Sequence, residues 1–139
     1  MGRVTTEAVI ENSRDLWDAE EKRIANDEVR RIAVSDALVD TGATVLSLPK
    51  KLIKQLGLRK FGERRVTTSV GVRMANLFGP VLLTIQGRSC TVDVSEVANS
   101  VPVLIGQVPL ELLDFVVDMR KRKIIGNPAH GGEHMYELF

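Results

Sequence analysis

A mainly β fold follows from three features of the sequence. Short apolar stretches of strand length recur along the 139 residues, separated by turn-forming residues rather than by long amphipathic runs. Two of them, Val81-Leu82-Leu83-Thr84-Ile85 and Cys90-Thr91-Val92-Asp93-Val94, alternate with period two around Gln86-Gly87-Arg88-Ser89, which is the pattern of a hairpin. Only two or three short segments carry helical spacing, too few to layer helices over a parallel sheet. The length accommodates one domain over residues 1–139: a strand with a charged insert (1–28), a core (29–126) and a tail (127–139).

Taken in order, residues 5–10 alternate weakly and read as a first strand. Residues 12–27 are highly charged, with Leu16, Trp17, Glu20 and Ile24 at near-helical spacing, so a short surface helix or structured loop is expected, capped by Asp15. Trp17 is expected to anchor this segment on the body of the domain. Residues 29–39 are rich in Val and Ile and read as a strand, and Thr44-Val45-Leu46-Ser47-Leu48 as another. Pro49 suits the first position of a helix whose apolar stripe is Leu52, Ile53 and Leu56, with Gly57 as its stop and Lys50, Lys51 and Lys54 on the wet side. Residues 64–74 are polar and read as a protruding hairpin whose tip is Thr68-Ser69-Val70-Gly71. In the clearer hairpin that follows, Cys90 shares a face with Val92 and Val94 and is expected to be a buried thiol. Val101-Pro102-Val103-Leu104-Ile105-Gly106 is a second apolar run ending in glycine, after which Pro109 opens a short helix with Leu110, Leu112, Leu113 and Phe115. Val116-Val117-Asp118, the basic turn Arg120-Lys121-Arg122 and Lys123-Ile124-Ile125-Gly126 close the core, and a surface tail follows.

Composition narrows the function. A net charge of +1 with 44% hydrophobic and 27% charged residues gives no imbalance that would recruit nucleic acid or a membrane surface. Cys90 is the single cysteine, so no intrachain disulfide is available and a reducing compartment is permitted. Residues 1–11 lack the apolar core of a signal peptide and nothing approaches a membrane span, so the expected location is the cytoplasm.

The most informative stretch is Ala37-Leu38-Val39-Asp40-Thr41-Gly42-Ala43, an apolar run that delivers one aspartate into a tight turn. A buried strand ending on a carboxylate is costly unless that carboxylate is hydrogen-bonded or used. Thr41 can hydrogen-bond locally, and Gly42 lets the backbone bend where a side chain would clash. The segment resembles the active-site motif of the aspartic peptidases, in particular the short retropepsin-like ones of bacterial single-lobe type, in which alanine commonly follows the glycine. Leu104-Ile105-Gly106 followed by a helix resembles the second anchor of that family, the strand crossing behind the aspartate loop, and the hairpin tip Thr68, Ser69, Val70 and Gly71 stands where the family has its flap. Together these cover residues 29–126. Gln107 is a departure, since arginine is the familiar residue after the second glycine.

The resemblance implies a closed, barrel-like single lobe with short helices and an aspartic endopeptidase without metal or organic cofactor. Its chemistry requires two carboxylates sharing one proton, because like charges at hydrogen-bonding distance cannot both ionise. No second Asp-Thr-Gly or Asp-Ser-Gly exists in the chain; Asp93 and Asp118 lie in unrelated surroundings. The second aspartate is therefore expected to be Asp40 of another copy, in a twofold homodimer acting on a peptide or protein substrate held extended. By the same resemblance Thr41 bonds across the dimer axis, Gly42 offers backbone groups to substrate, and Leu38, Val39 and Ile105 surround the dyad. The alternative is a non-catalytic module of the same fold that dimerises or grips a peptide. A rival motif, His130-Gly131-Gly132-Glu133-His134, matches a zinc-peptidase pattern, but its paired glycines disfavour the helix that would put both histidines on one face. A flexible surface tail is the expected reading there.

Overall fold

The computed structural model describes residues 3–137. The chain runs β1 (Thr5–Asn12), α1 (Ser13–Glu20), β2 (Arg31–Val39), β3 (Leu46–Pro49), α2 (Lys50–Gln55), β4 (Lys60–Thr68), β5 (Gly71–Ile85), β6 (Arg88–Val97), β7 (Leu104–Ile105), α3 (Gln107–Leu112), β8 (Phe115–Asp118) and β9 (Lys123–Gly126). Seven strands form one sheet in the order β1-β2-β7-β3-β6-β5-β4, and an additional β1–β5 pairing closes six of them into a barrel. Closure removes the free edges an open sheet would expose, leaving β4 alone outside the ring. β8 and β9 form a separate hairpin.

Alternation decides which side chains fill the barrel. Along β5, Val81, Leu83 and Ile85 are buried, and Leu83 pairs with Cys90 across the turn into β6. Leu46 and Leu48 of β3, Val94 of β6, Ile105 of β7 and Ile10 of β1 meet them in the interior. Full burial of each such side chain contributes roughly 1.5–3 kcal/mol. Cys90 is buried, and that burial pushes its thiol up to about 11, so the group is an inert part of the core.

Several boundaries and roles differ from expectation. The second apolar run supplies only the two residues of β7, because these alone pair, parallel to Leu38 and Val39 and antiparallel to Leu46 and Ser47. α3 begins at Gln107 rather than at Pro109, and Phe115 belongs to β8. Pro49 caps α2 from outside, and Gly57 ends that segment in the left-handed region at φ +63°. The cap of α1 is Asn12, whose carboxamide oxygen accepts from the Asp15 amide at 3.1 Å while its nitrogen donates to the Leu56 carbonyl at 2.9 Å. Trp17 does not anchor the helix; it is 60% exposed.

The anchor is Asp15 instead. Its buried carboxylate accepts from Nε of Arg30 at 2.8 Å, from Nη2 at 2.9 Å and from the Arg30 amide at 3.0 Å. That two-pronged contact holds the Asp15 carboxyl below the usual carboxylate range despite its burial, the Arg30 side chain being the larger influence. It ties the charged insert to the residue just before β2. Replacing Arg30 by Ala leaves a buried carboxylate without its main donors and is expected to cost about 2 kcal/mol, read as a lower midpoint in denaturant unfolding.

Candidate active site

Asp40 follows directly on β2, half-buried, and its amide donates to the Ile105 carbonyl at 3.0 Å. Within the turn the Ala43 amide donates to the Asp40 carbonyl at 3.0 Å, and the Gly42 amide donates to Oδ1 of Asp40 at 2.9 Å. The side chain is thus steered by the glycine two residues on. A Cβ at Gly42 would stand 3.2 Å from Oδ1, tight enough to disturb that contact. Thr41 is exposed at the surface of the loop.

Behind the loop, β7 lies between β2 and β3. As the chain leaves β7 it supports the loop through successive amides: Gly106 donates to the Val45 carbonyl at 3.0 Å, Gln107 to Ala43 at 2.8 Å and Val108 to Thr44 at 2.9 Å. This approach needs a glycine, because a Cβ on Gly106 would lie 2.6 Å from both the carbonyl carbon of Thr44 and the carbonyl oxygen of Val45. Leu104 packs half-buried and Ile105 is fully buried beneath the loop. The Gln107 carboxamide does not reach the loop; it donates to Oε1 of Glu111 at 3.0 Å along α3. Support for the loop from behind therefore comes from the backbone.

Over the loop arches the hairpin of β4 and β5, paired from Thr68↔Gly71 down to Gly62↔Leu77. Its tip is a two-residue turn, Ser69-Val70, with Gly71 at φ +113° and the Thr68 hydroxyl donating to the Gly71 carbonyl at 2.8 Å. A single glycine thus suffices for the tip. Between hairpin and loop is a cleft of about 600 Å³, bounded by Gly42–Val45 below, by Ser95 and Val97 at the side and by the inner face of the hairpin above. Sequence reasoning passed over two arginines on that inner face, Arg64 and Arg73, because only strand pairing shows which way they point.

The tail histidines go elsewhere. Nδ1 of His130 lies 2.6 Å from Oδ2 of Asp114 and its Nε2 lies 3.0 Å from Oε1 of Glu137, while Nε2 of His134 sits 3.1 Å from the Leu112 carbonyl. Among the described residues no group of three or more His, Cys, Asp or Glu is placed to hold a metal ion. The tail nevertheless is not a loose appendage. Asp114, in the left-handed region at φ +58°, also accepts from the Met135 amide at 3.1 Å and the Asn127 carboxamide at 3.3 Å. Nη1 of Arg88 donates to the Leu113 and Asp114 carbonyls at 3.0 and 2.9 Å, and its guanidinium lies 4.6 Å from the centre of the Phe115 ring. Leu138 and Phe139 lie outside the described residues.

Three comparisons bear on this arrangement. A family profile described as Aspartyl protease matches residues 26–109, which include the Asp40 loop, the hairpin and β7. A comparison of the sequence with curated proteins returns no match. Among solved structures, EIAV protease complexed with the inhibitor HBY-793 superposes with a TM-score of 0.53 at 20% identity, over 79% of this chain and 86% of that one. At that identity the likeness is one of fold: a mainly β, closed, single-lobe barrel.

Two outcomes follow from the geometry. Gly106→Ala drives a methyl group into the Thr44–Val45 backbone and is expected to destabilise the protein by about 3 kcal/mol, the upper end of the usual cost of overpacking, read by chemical unfolding. The tail latch is expected to show a pH window. Contacts to Glu137 and Asp114 raise the His130 imidazole above its ordinary 6.5, so its contribution is complete below 6.5 and fades as pH climbs through the raised value. The His130 contact chiefly lowers Asp114 below its ordinary 3.8, so that contribution is complete above 3.8 and fades as pH falls through the lowered value. The gap in melting temperature between wild type and His130→Gln should be widest between those two ordinary values and close on either side.

Proposed function

The chain belongs to the aspartyl protease family, and on that premise we propose that it is an active aspartic endopeptidase whose catalytic group is Asp40. The observation that carries the reading is the Asp40 carboxylate, held by the Gly42 amide in a loop whose following residues, Gly42–Val45, form the floor of a roofed cleft. This chain supplies one such carboxylate and the chemistry requires two, so the working enzyme is a homodimer with Asp40 of each subunit meeting on the twofold axis. One carboxyl of the pair is ionised and takes a proton from a bound water, which attacks the scissile carbonyl. The other donates its proton to the carbonyl oxygen as the tetrahedral intermediate forms, and collapse of that intermediate releases the amine with a proton returned from the dyad.

The remaining assignments follow from this frame. Thr41, exposed on the loop, is free to bond to the partner's loop across the axis and fix the two carboxyls in register. Gly42 and its neighbour Ala43 present backbone groups to an extended peptide, and the hairpin tip at Thr68-Ser69-Val70-Gly71 closes over it. Leu104, Ile105 and Gly106 hold the loop from behind. Metal and organic cofactors have no part in these steps.

Asp40→Asn is expected to abolish cleavage of an unstructured protein substrate without altering the unfolding curve, since an amide can neither share the proton nor activate water. Subunit mixing tests the shared dyad. After exchange of equal amounts of wild type and Asp40→Asn, activity should fall to about one quarter, because only dimers with two wild-type subunits retain the pair. A fall to about one half would mean that each chain works alone. Retention of the fold and of peptide binding with no turnover in wild type would favour the non-catalytic module.

A further inference from the structure

Resting on that reading, the structure carries one more step, concerning which peptides the cleft takes. Cross-strand partners share a face of a hairpin, and in the flap one face is Gly62–Leu77, Arg64–Ala75, Val66–Arg73 and Thr68–Gly71. Ala75 and Leu77 are buried, so this face is the one turned to the barrel and the cleft. Arg64 and Arg73 therefore project from the roof onto the space above the Asp40 loop, as diagonal neighbours on facing strands, and both line the cleft. Arg65, on the alternate register, stands at its margin.

Their charges are not spent within the chain. Among the described residues none of these three arginines lies within ion-pair distance of a carboxylate. Arg73 donates from Nη1 to the Val72 carbonyl at 3.0 Å, which leaves most of its donors available. The acidic group lining the same cleft is Glu96, and its Oε1 already accepts from the Asn76 carboxamide at 3.2 Å. A net charge of +1 over the whole chain makes this a local concentration rather than a general basicity. Guanidinium groups remain charged at every working pH and present a fork matched to a carboxylate.

We infer that Arg64 and Arg73 determine specificity, selecting extended peptides that carry Asp or Glu beneath the flap, within a few residues of the scissile bond. A carboxylate there gains charge-assisted hydrogen bonds as the flap descends, and a lysine in the same place meets two fixed positive charges. The dyad itself is served by the peptide backbone, so the arginines act on which substrate is held and not on the bond-breaking step.

The test uses the full chain and fluorogenic peptides identical except for Glu, Gln or Lys at each position flanking an apolar scissile pair. Wild type is expected to prefer Glu over Gln by about tenfold in kcat/KM at one or more of these positions, with Lys lower still. The preference should shrink as salt is raised from about 0.05 to 0.5 M, which shortens the range of charge interactions. In R64Q/R73Q the Glu-to-Gln ratio should fall towards one, and in R73E the order of Glu and Lys should reverse. Equal rates for the three peptides in wild type, or an unchanged ratio in the folded double variant, overturns the inference. Binding of the same peptides to Asp40→Asn, measured by fluorescence anisotropy, separates the two readings. If nothing is cleaved yet Glu peptides bind tightest, the enzyme reading fails and the charge selectivity stands; binding without charge preference removes the selectivity whatever the turnover.

Discussion

At Gly106 the chain passes its own earlier segment so closely that no side chain fits between the two backbones. The shape of the Asp40 loop depends on that crossing. The amides of Gly106, Gln107 and Val108 can reach the carbonyls of Val45, Ala43 and Thr44 only because the two backbones are in contact, and the Asp40 amide closes the set on the Ile105 carbonyl. Hydrogen bonds between backbone groups allow far less play than a long side chain would, since neither partner has a rotamer to lose. The carboxylate is therefore held by a short, stiff frame, with the fully buried Ile105 as its floor.

Legibility in the sequence followed the range of the interactions. The loop Asp40-Thr41-Gly42-Ala43, the β5–β6 hairpin and the short helix after Pro49 rest on neighbours a few residues apart, and their residue types alone indicate them. The strand at Leu104 and Ile105 was visible as an apolar run, but its length was not, because pairing with both β2 and β3 decides where it ends. Asp15 looked like a helix cap, and Asn12 caps in its stead because Arg30, distant in sequence, claims the Asp15 carboxylate. Trp17 was read from its size, yet on a helix whose polar neighbour does the anchoring its ring is left facing water. The tail shows the same limit. Gly131 and Gly132 turn the chain through the left-handed region, at φ +65° and +78°, but nothing near His130 in sequence announced Asp114 as its partner.

Charge in this protein is a matter of place. The whole chain is nearly balanced, and its ion pairs sit mostly at the surface, where each contributes little. Some charges depart from this. Asp15 and Arg30 are matched to each other just before β2, as Asp114 and His130 are at the tail, whereas among the described residues the arginines of the β4–β5 hairpin face the open cleft without carboxylates of their own. The first arrangement is complete within one chain and serves stability; the second is complementary to something that comes from outside.

The order of residues along the chain has a consequence for the moment at which the Asp40 loop takes its shape. Asp40 and the hairpin that roofs its loop are synthesised before residues 104–108. The amides that shape its loop come with Gly106, Gln107 and Val108, and the Arg88–Asp114 clamp forms only after α3 has been synthesised. Barrel closure likewise joins β1 to β5, pairing Val9 with Thr84. These are long-range contacts, and they form late in folding because the intervening chain must first be ordered. Until those contacts form, the aspartate is present without the frame that aims it.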